Sequence, residues 1–246
     1  MPHALTIAPV EGLPEINPGD DIAAMVADRF ELRDGDIVVI TSKIVSKAEG
    51  CSIELAEVQP SRFAVEWGER WEKDARVVEI VLRESVRIVR MIGPVLITET
   101  RHGFVCANSG VDQSSSGAHD RALTLPVDPD GSARRARQTF RQHGVDVAVV
   151  ITDTFGRPWR EGQTDIAVGV AGINPLLSYI GQTDPHGHQF RVQEICVTDE
   201  IAAAAELVKG NTSRVPVAVV RGYPWAPDET ATMGPVIRDS SRDLFR

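Results

Sequence analysis

Three short apolar runs, rich in β-branched residues, place the strongest constraint on how this chain can fold. They cover residues 36–41, 145–151 and 215–220. Runs of this length, bounded by turn-forming residues, are typical of strands that are buried on both faces of a sheet. The first run leads to Ser42 and Lys47, and the second continues into Thr-Asp-Thr. We therefore expect a buried sheet that presents polar side chains where its strands end.

Helical patterns separate these runs. Apolar spacing predicts a helix at residues 21–30, one or two amphipathic helices within residues 61–90, and an Ala-rich helix at residues 199–209. A fourth helix follows a turn rich in Pro, Asp and Gly, and either Asp130 or Ser132 is expected to cap its N-terminus. Helices and strands are thus both expected in quantity.

The order of the elements determines the predicted fold class. Residues 95–100 and 103–107 predict a hairpin, and residues 190–197 alternate in the manner of a strand. A doubly wound parallel sheet requires strict alternation of strands and helices, which this order lacks. We predict an α+β fold with mixed or antiparallel sheets and packed helices. No linker is visible, so residues 1–246 are expected to form one unit. Two intertwined subdomains within this unit are the alternative, and the sequence shows no boundary between them.

The composition disfavours several classes of protein. Of the 246 residues, 42% are hydrophobic and 25% are charged, which is ordinary for a globular protein with a sizeable core. The formal net charge of −9 argues against nucleic acid as a partner. No apolar run approaches the roughly 20 residues that a membrane span needs, and the first residues lack the pattern of a signal peptide. We expect a cytoplasmic protein that does not bind a membrane.

Two predicted loops carry groups that suit chemistry. They follow apolar strands at residues 108–117 and 152–165. Asp112, Asp153 and Thr154 offer hard oxygen ligands of the kind that magnesium or manganese binds while it leaves positions open to phosphate oxygens. Turn formation at strand ends is the alternative explanation for the aspartates and glycines in both loops.

Basic residues near these loops extend the hypothesis. Arg157, Arg160 and Lys47 would hold anionic groups, the arginines as planar forks and the lysine as a point charge. The combination indicates phosphoryl chemistry. However, the sequence contains no Walker loop, no dinucleotide-binding glycine motif, no nucleophile elbow and no zinc-protease motif. Spacing alone therefore indicates a site rich in carboxylates and hydroxyls without fixing its purpose.

Several ordered segments, taken together, resemble a known family. They include Ser-Lys-Ile-Val-Ser-Lys-Ala-Glu-Gly at residues 42–50 and Val-Val-Ile-Thr-Asp-Thr at residues 149–154. The other segments are residues 9–16, 19–21, 34–41, 110–112, 125–132, 199–202 and 217–222. In this order, and over nearly the whole chain, they resemble the coenzyme F420-0 gamma-glutamyl ligase family.

The resemblance implies a specific reaction. Members of that family use GTP to add one or more glutamates to the terminal carboxylate of a deazaflavin precursor of the F420-0 type. It also implies a divalent cation, Mg²⁺ or Mn²⁺, together with K⁺, an α+β fold and an intertwined homodimer. The substrates would be GTP, L-glutamate and the deazaflavin precursor, joined through an acyl phosphate.

The resemblance also implies roles for individual residues. Asp112, Asp153 and Thr154 match metal ligands, and Lys47 and Asp153 match catalytic positions. The expected nucleotide contacts are Leu13, Pro14, Glu15, Ile16, Ser42, Lys47, Ser115 and Asn211. Two of these contacts depart from the family pattern, because Ser115 stands where relatives often have Asn, and Asn211 stands where some carry an acidic residue.

Two other functions stay open from the sequence. One is a related amide ligase with a different acceptor or amino acid. The other is a nucleotide-binding protein that has kept the fold and lost the chemistry. The presence of both aspartates and of Lys47 argues against the second alternative.

Overall fold

The computed structural model of the chain describes residues 4–113 and 120–243. Its first half contains β1 (Thr6–Pro9), α1 (Ile22–Ala27), β2 (Ile37–Thr41), α2 (Ser42–Ala48), β3 (Ser52–Glu54), α3 (Arg62–Trp71), α4 (Ala75–Arg83), β4 (Ser85–Ile92), β5 (Val95–Thr100), β6 (Val105–Ala107) and β7 (Arg121–Leu123). Its second half contains α5 (Pro129–Gln142), β8 (Ala148–Arg157), β9 (Arg160–Ile173), β10 (Leu176–Ser178), β11 (Glu194–Cys196), α6 (Val197–Lys209), β12 (Val217–Arg221) and β13 (Pro227–Asp228). The predicted α+β class is confirmed.

A mixed sheet of six strands forms the centre of the fold, in the order β1-β12-β2-β8-β9-β13. Strands β2 and β8 are parallel neighbours, and the other pairs in this sheet are antiparallel. Strands β2, β8 and β12 contain the three apolar runs of the sequence, and their aliphatic side chains are almost fully buried. Burial on both faces explains why these runs are continuous rather than alternating.

Helices cover the sheet, and one glycine permits a close approach. α5 packs on β8 and β9, and α6 packs on β9 and β12. A Cβ atom at Gly169 of β9 would lie 2.5 Å from the backbone of Pro129, the first residue of α5. Only a residue without a side chain allows this helix and this strand to pack so closely.

Three smaller sheets flank the central one: β4-β5-β6, β3-β7 and β10-β11. The pairing of β5 with β6 confirms the predicted hairpin. Within the described residues, no helix combines the length and the apolar character that a membrane crossing requires.

Part of the predicted helical region is a strand. The amphipathic pattern of residues 61–90 gives two helices, but α4 ends at Arg83 and β4 follows directly. The β-branched residues Val86, Ile88 and Val89 favour the extended backbone there. The pattern of residues 190–197 yields only the short β11, because residues 190–193 are irregular and Val197 already begins α6.

The N-terminal cap of α5 also differs from the prediction. Asp128 is the capping residue, and its Oδ1 accepts a hydrogen bond from the Gly131 backbone N–H at 2.9 Å. Pro129 is the first residue of α5, where its fixed φ suits the start of a helix. The capping position is therefore the residue before it, Asp128. Asp130 instead accepts a hydrogen bond from the Val170 backbone N–H of β9.

The largest correction concerns residues 152–165, which were expected to form a loop. Strand β8 runs on to Arg157, and β9 begins at Arg160, so that these residues form a long antiparallel hairpin. Threonine favours strands, and the hydroxyls of Thr152 and Thr154 donate hydrogen bonds across the hairpin to Asp165. Thr152, Asp153, Thr154 and Asp165 therefore lie on paired strands and not in a loop.

Candidate active site

The end of the parallel pairing between β2 and β8 brings two of the predicted site residues together. The register of β2 and β8 places Thr41 opposite Thr152. The next residues, Ser42 and Asp153, therefore lie side by side just beyond this pairing, and the Ser42 hydroxyl donates a hydrogen bond to the Asp153 carboxylate. Both side chains are buried.

Burial dominates the electrostatics of Asp153. It raises the pKa of this carboxyl group from 3.8 to about 7, because the protein interior disfavours the charged form. The Thr154 backbone N–H, the charge of Lys43 and the Ser42 hydroxyl oppose the rise, and the nearby carboxylate of Asp165 adds to it. The contacts that the protein provides therefore do not make up for the hydration that the ionised carboxylate of Asp153 loses on burial.

Lys43 connects Asp153 with Asp112. The Lys43 ammonium lies 2.7 Å from Asp112 Oδ2, and its charge also acts on Asp153. The Asp112 backbone N–H donates to the Leu123 carbonyl at 2.9 Å, which holds this carboxylate against β7. One lysine thus interacts with both aspartates that were expected to bind a metal.

The same face of α2 carries Lys47. Residues four apart lie on one side of a helix, so Lys43 and Lys47 are neighbours. The Lys47 ammonium lies 2.5 Å from Glu15 Oε1. The segment that holds the expected contacts Leu13, Pro14, Glu15 and Ile16 therefore runs beside α2, and a hydrogen bond from the Gly19 N–H to the Ala48 carbonyl fixes its end.

Thr154 points away from these groups. Side chains alternate along a strand, so Asp153 and Thr154 lie on opposite faces of β8. The Thr154 hydroxyl donates to Asp165 Oδ1 at 2.7 Å, and Asp165 Oδ2 in turn lies 2.7 Å from the ammonium of Lys209. The structure brings Asp112 and Asp153 together, but it does not bring the Thr154 hydroxyl to the same point.

The remaining predicted residues lie farther out. Asn211 is exposed, two residues beyond the end of α6. Arg157 and Arg160 are exposed and face each other at the far end of the β8–β9 hairpin. Ser115 lies outside the described residues.

Comparison with known proteins gives this geometry a context. Residues 12–222 match the sequence model of the family described as F420-0:Gamma-glutamyl ligase. The chain belongs to this family. It is accordingly an enzyme that forms carbon–nitrogen bonds, and all the site residues described above lie inside the matched range.

Individual relatives agree with this assignment. The coenzyme F420:L-glutamate ligase of Methanothermobacter thermautotrophicus is 43% identical over 98% of this chain and 99% of the relative. The protein of the same name from Methanopyrus kandleri is 43% identical over 98% of each chain. The Halobacterium salinarum protein of that name is 41% identical over 96% of this chain and 90% of the relative.

Sequence reasoning about this ligase missed three charged residues. Lys43 could have been found, because it stands four residues before Lys47 in a helix that begins where a buried strand ends. Lys209 and Asp165 gave no such signal. They are 44 residues apart in the chain and meet only because α6 packs on β9.

The ligase site suits a divalent cation. Within residues 4–113 and 120–243, no group of three or more His, Cys, Asp and Glu side chains gathers in the manner of a metal cluster. Asp112 and Asp153 nevertheless provide two carboxylates, the hard donors that Mg²⁺ and Mn²⁺ prefer when phosphate oxygens complete the coordination. The Lys43 ammonium already places positive charge beside both. Asp112 and Asp153 are therefore the two residues here that could hold a divalent cation.

Proposed function

We propose that this enzyme uses GTP to join the amino group of L-glutamate to the terminal carboxylate of an F420-0-type deazaflavin precursor. The proposal includes Mg²⁺ or Mn²⁺ at Asp112 and Asp153, K⁺ as a monovalent cation, and an acyl phosphate intermediate. Its main support is the helix face of α2, on which Lys43 and Lys47 lie between the two aspartates and the 13–16 segment. The names of the relatives supply the substrates.

The chemistry consists of two displacements. A carboxylate oxygen of the precursor attacks the terminal phosphorus of GTP, the bond to GDP breaks, and an acyl phosphate forms. The glutamate nitrogen then attacks the carbonyl carbon, inorganic phosphate leaves, and the nitrogen releases a proton. A bound divalent cation supplies positive charge to the phosphate oxygens.

The residues of the chain would position and neutralise the reactants. Lys43 and Lys47 would exchange their carboxylate partners for phosphate oxygens and offset the charge that develops on GDP as it leaves. Ser42, whose hydroxyl already bonds to Asp153, would keep that carboxylate oriented. The exposed side of the 13–16 segment would contact the nucleotide.

We also propose that the enzyme is a homodimer. Several large apolar side chains are exposed on the single chain, including Trp159, Val192 and Leu207. Apolar groups of this size offer surface to a second copy. Light scattering of the purified protein would give a mass of two chains, and a mass of one chain would contradict this part of the proposal.

The reaction is tested by mass spectrometry of the precursor after incubation with enzyme, glutamate, GTP, MgCl₂ or MnCl₂, and KCl. Addition of one or more glutamate residues, lost when GTP or the metal is omitted, is the expected result. Lys47→Met should raise the KM for GTP by about tenfold or more, because a charge-assisted contact is removed. The matched control is Lys73→Met at an exposed position of the α3–α4 turn. No addition with any nucleotide would contradict the proposed acceptor and favour a related amide ligase with another acceptor.

A further inference from the structure

A buried ion pair lies beneath the proposed site, on the opposite face of the β8–β9 hairpin. The Lys209 ammonium lies 2.7 Å from Asp165 Oδ2 and 2.9 Å from Thr152 Oγ1. The side chains of Lys209 and Asp165 are each only 2% exposed. Glu206 stands at the rim of this cluster, 3.6 Å from the same ammonium.

Stability alone is a weak reason for such an arrangement. Each buried ion costs several kcal/mol of lost hydration, and apolar residues of similar volume often replace buried pairs without loss of stability. The proposed phosphoryl chemistry does not use Lys209 or Asp165 either. Their position relative to Asp153 offers another reason.

The Asp165 carboxylate holds the two neighbours of Asp153. Its Oδ2 accepts a hydrogen bond from the Thr152 hydroxyl at 3.1 Å, and its Oδ1 accepts one from the Thr154 hydroxyl at 2.7 Å. Thr152 and Thr154 share one face of β8, and Asp153 points to the other. Because Thr152 and Thr154 are held in place on one face of β8, the Asp153 carboxylate is held in place on the other face.

We propose that Lys209 and Asp165 are positioning residues, which clamp β8 through Thr152 and Thr154 and so hold Asp153 in place to bind the divalent cation. This inference rests on the proposed metal site. It requires both oxygens of Asp165, and Lys209 orients that carboxylate while balancing its charge. An amide at position 165 would keep only one of the two acceptor oxygens, so the present hydrogen bonds from Thr152 and Thr154 could not both be retained.

The test measures Mn²⁺ affinity of the protein alone, from the electron paramagnetic resonance signal of free Mn²⁺, beside the thermal midpoint in EDTA. The main variant is Asp165→Asn combined with Lys209→Met, which leaves the net charge unchanged and leaves no buried charge unpaired. We expect its Kd for Mn²⁺ to rise about tenfold or more. Asp153→Asn should have at least that effect, and adding the double substitution to Asp153→Asn should cause no further loss, because the clamp acts through Asp153.

A second pair of variants avoids any change of charge. Thr152→Val removes one hydroxyl of the clamp at nearly constant volume, and Thr152→Ser keeps the hydroxyl. We expect the valine variant to weaken Mn²⁺ binding several-fold and the serine variant to stay within twofold of the parent. Arg137→Met is the control for loss of a buried cation, because Arg137 lies near the start of β8, away from Asp153.

The outcomes distinguish failure of the proposed clamp from failure of the proposed metal site. If the double variant and Thr152→Val lower the thermal midpoint but bind Mn²⁺ like the parent, the cluster is only structural and the inference is wrong. It is also wrong if the losses from the double variant and Asp153→Asn add. If Asp153→Asn itself leaves Mn²⁺ affinity unchanged, the proposed metal site fails, and the clamp fails with it.

Discussion

Replacing Asp153 with asparagine should stabilise the metal-free protein at neutral and alkaline pH. Burial raises the pKa of this carboxyl group from 3.8 to about 7, so the folded protein retains a proton that the unfolded chain has released. Since one pH unit corresponds to about 1.4 kcal/mol, ionised Asp153 lowers the free energy of unfolding by up to roughly 4 kcal/mol above pH 7. Asparagine has a similar shape and carries no charge to bury.

The pH dependence follows from the same shift. Below pH 3.8 the carboxyl group is neutral in both states, so the parent and the variant should be equally stable. Between pH 3.8 and 7 the unfolded chain loses its proton first, and the stability of the parent should fall steadily relative to Asp153→Asn. Above pH 7 the difference should stay constant.

The assay is urea unfolding in EDTA at pH 4.5 and at pH 8. The variant should be more stable than the parent by only about 1 kcal/mol at pH 4.5 and by roughly 4 kcal/mol at pH 8. Asp28→Asn, at an exposed aspartate beyond α1, is the matched control and should show little effect at either pH. If Asp153→Asn were less stable than the parent at pH 8, Lys43 and the hydrogen bonds of Asp153 would outweigh its burial, and the reasoning would be refuted.

Three further predictions concern groups that take no part in the proposed chemistry. Burial raises the pKa of the Cys106 thiol to about 12, so this cysteine should react with iodoacetamide only after unfolding, as peptide mass spectrometry would show; rapid labelling of the native protein would contradict it. Hydrogen bonds from Arg141 and Arg137 lower the pKa of Glu229 to about 2, so this group stabilises the fold above pH 4.5 and should lose that contribution as the pH falls towards 2. In Glu229→Gln the thermal midpoint should therefore fall less steeply between pH 4.5 and pH 2 than in the parent. Asp128→Ala removes the cap of α5 and should cost about 1 kcal/mol in urea unfolding, whereas an unchanged midpoint would show that the cap contributes nothing.

The buried strands were predictable because their signal is local. A continuous β-branched run such as residues 36–41 is typical of a strand in the middle of a sheet, where both of its faces are buried. The β8–β9 hairpin was not predictable in the same way. Thr152, Asp153 and Asp165 are polar, and polar residues at a strand end look like a loop until their partners across the hairpin are known.

The same distinction between local and long-range signals applies to the residues of the site. Ser42 and Asp153 each follow an apolar run, and the parallel pairing of β2 with β8 then brings them together. The clamp beneath them depends on contacts between distant segments, since Lys209 reaches Asp165 and Thr152 only through the packing of α6. Sequence spacing carries no information about such contacts.

The central claim is that the precursor's carboxylate is activated by phosphoryl transfer at the Asp112–Asp153 site. It is tested most directly with a precursor whose terminal carboxylate carries oxygen-18, incubated with the enzyme, glutamate, GTP and MgCl₂. Mass spectrometry of the inorganic phosphate should find one oxygen-18 atom for each first glutamate added, and Asp153→Asn should release almost no labelled phosphate. Glutamate addition by the parent enzyme without transfer of oxygen-18 to phosphate would contradict the account.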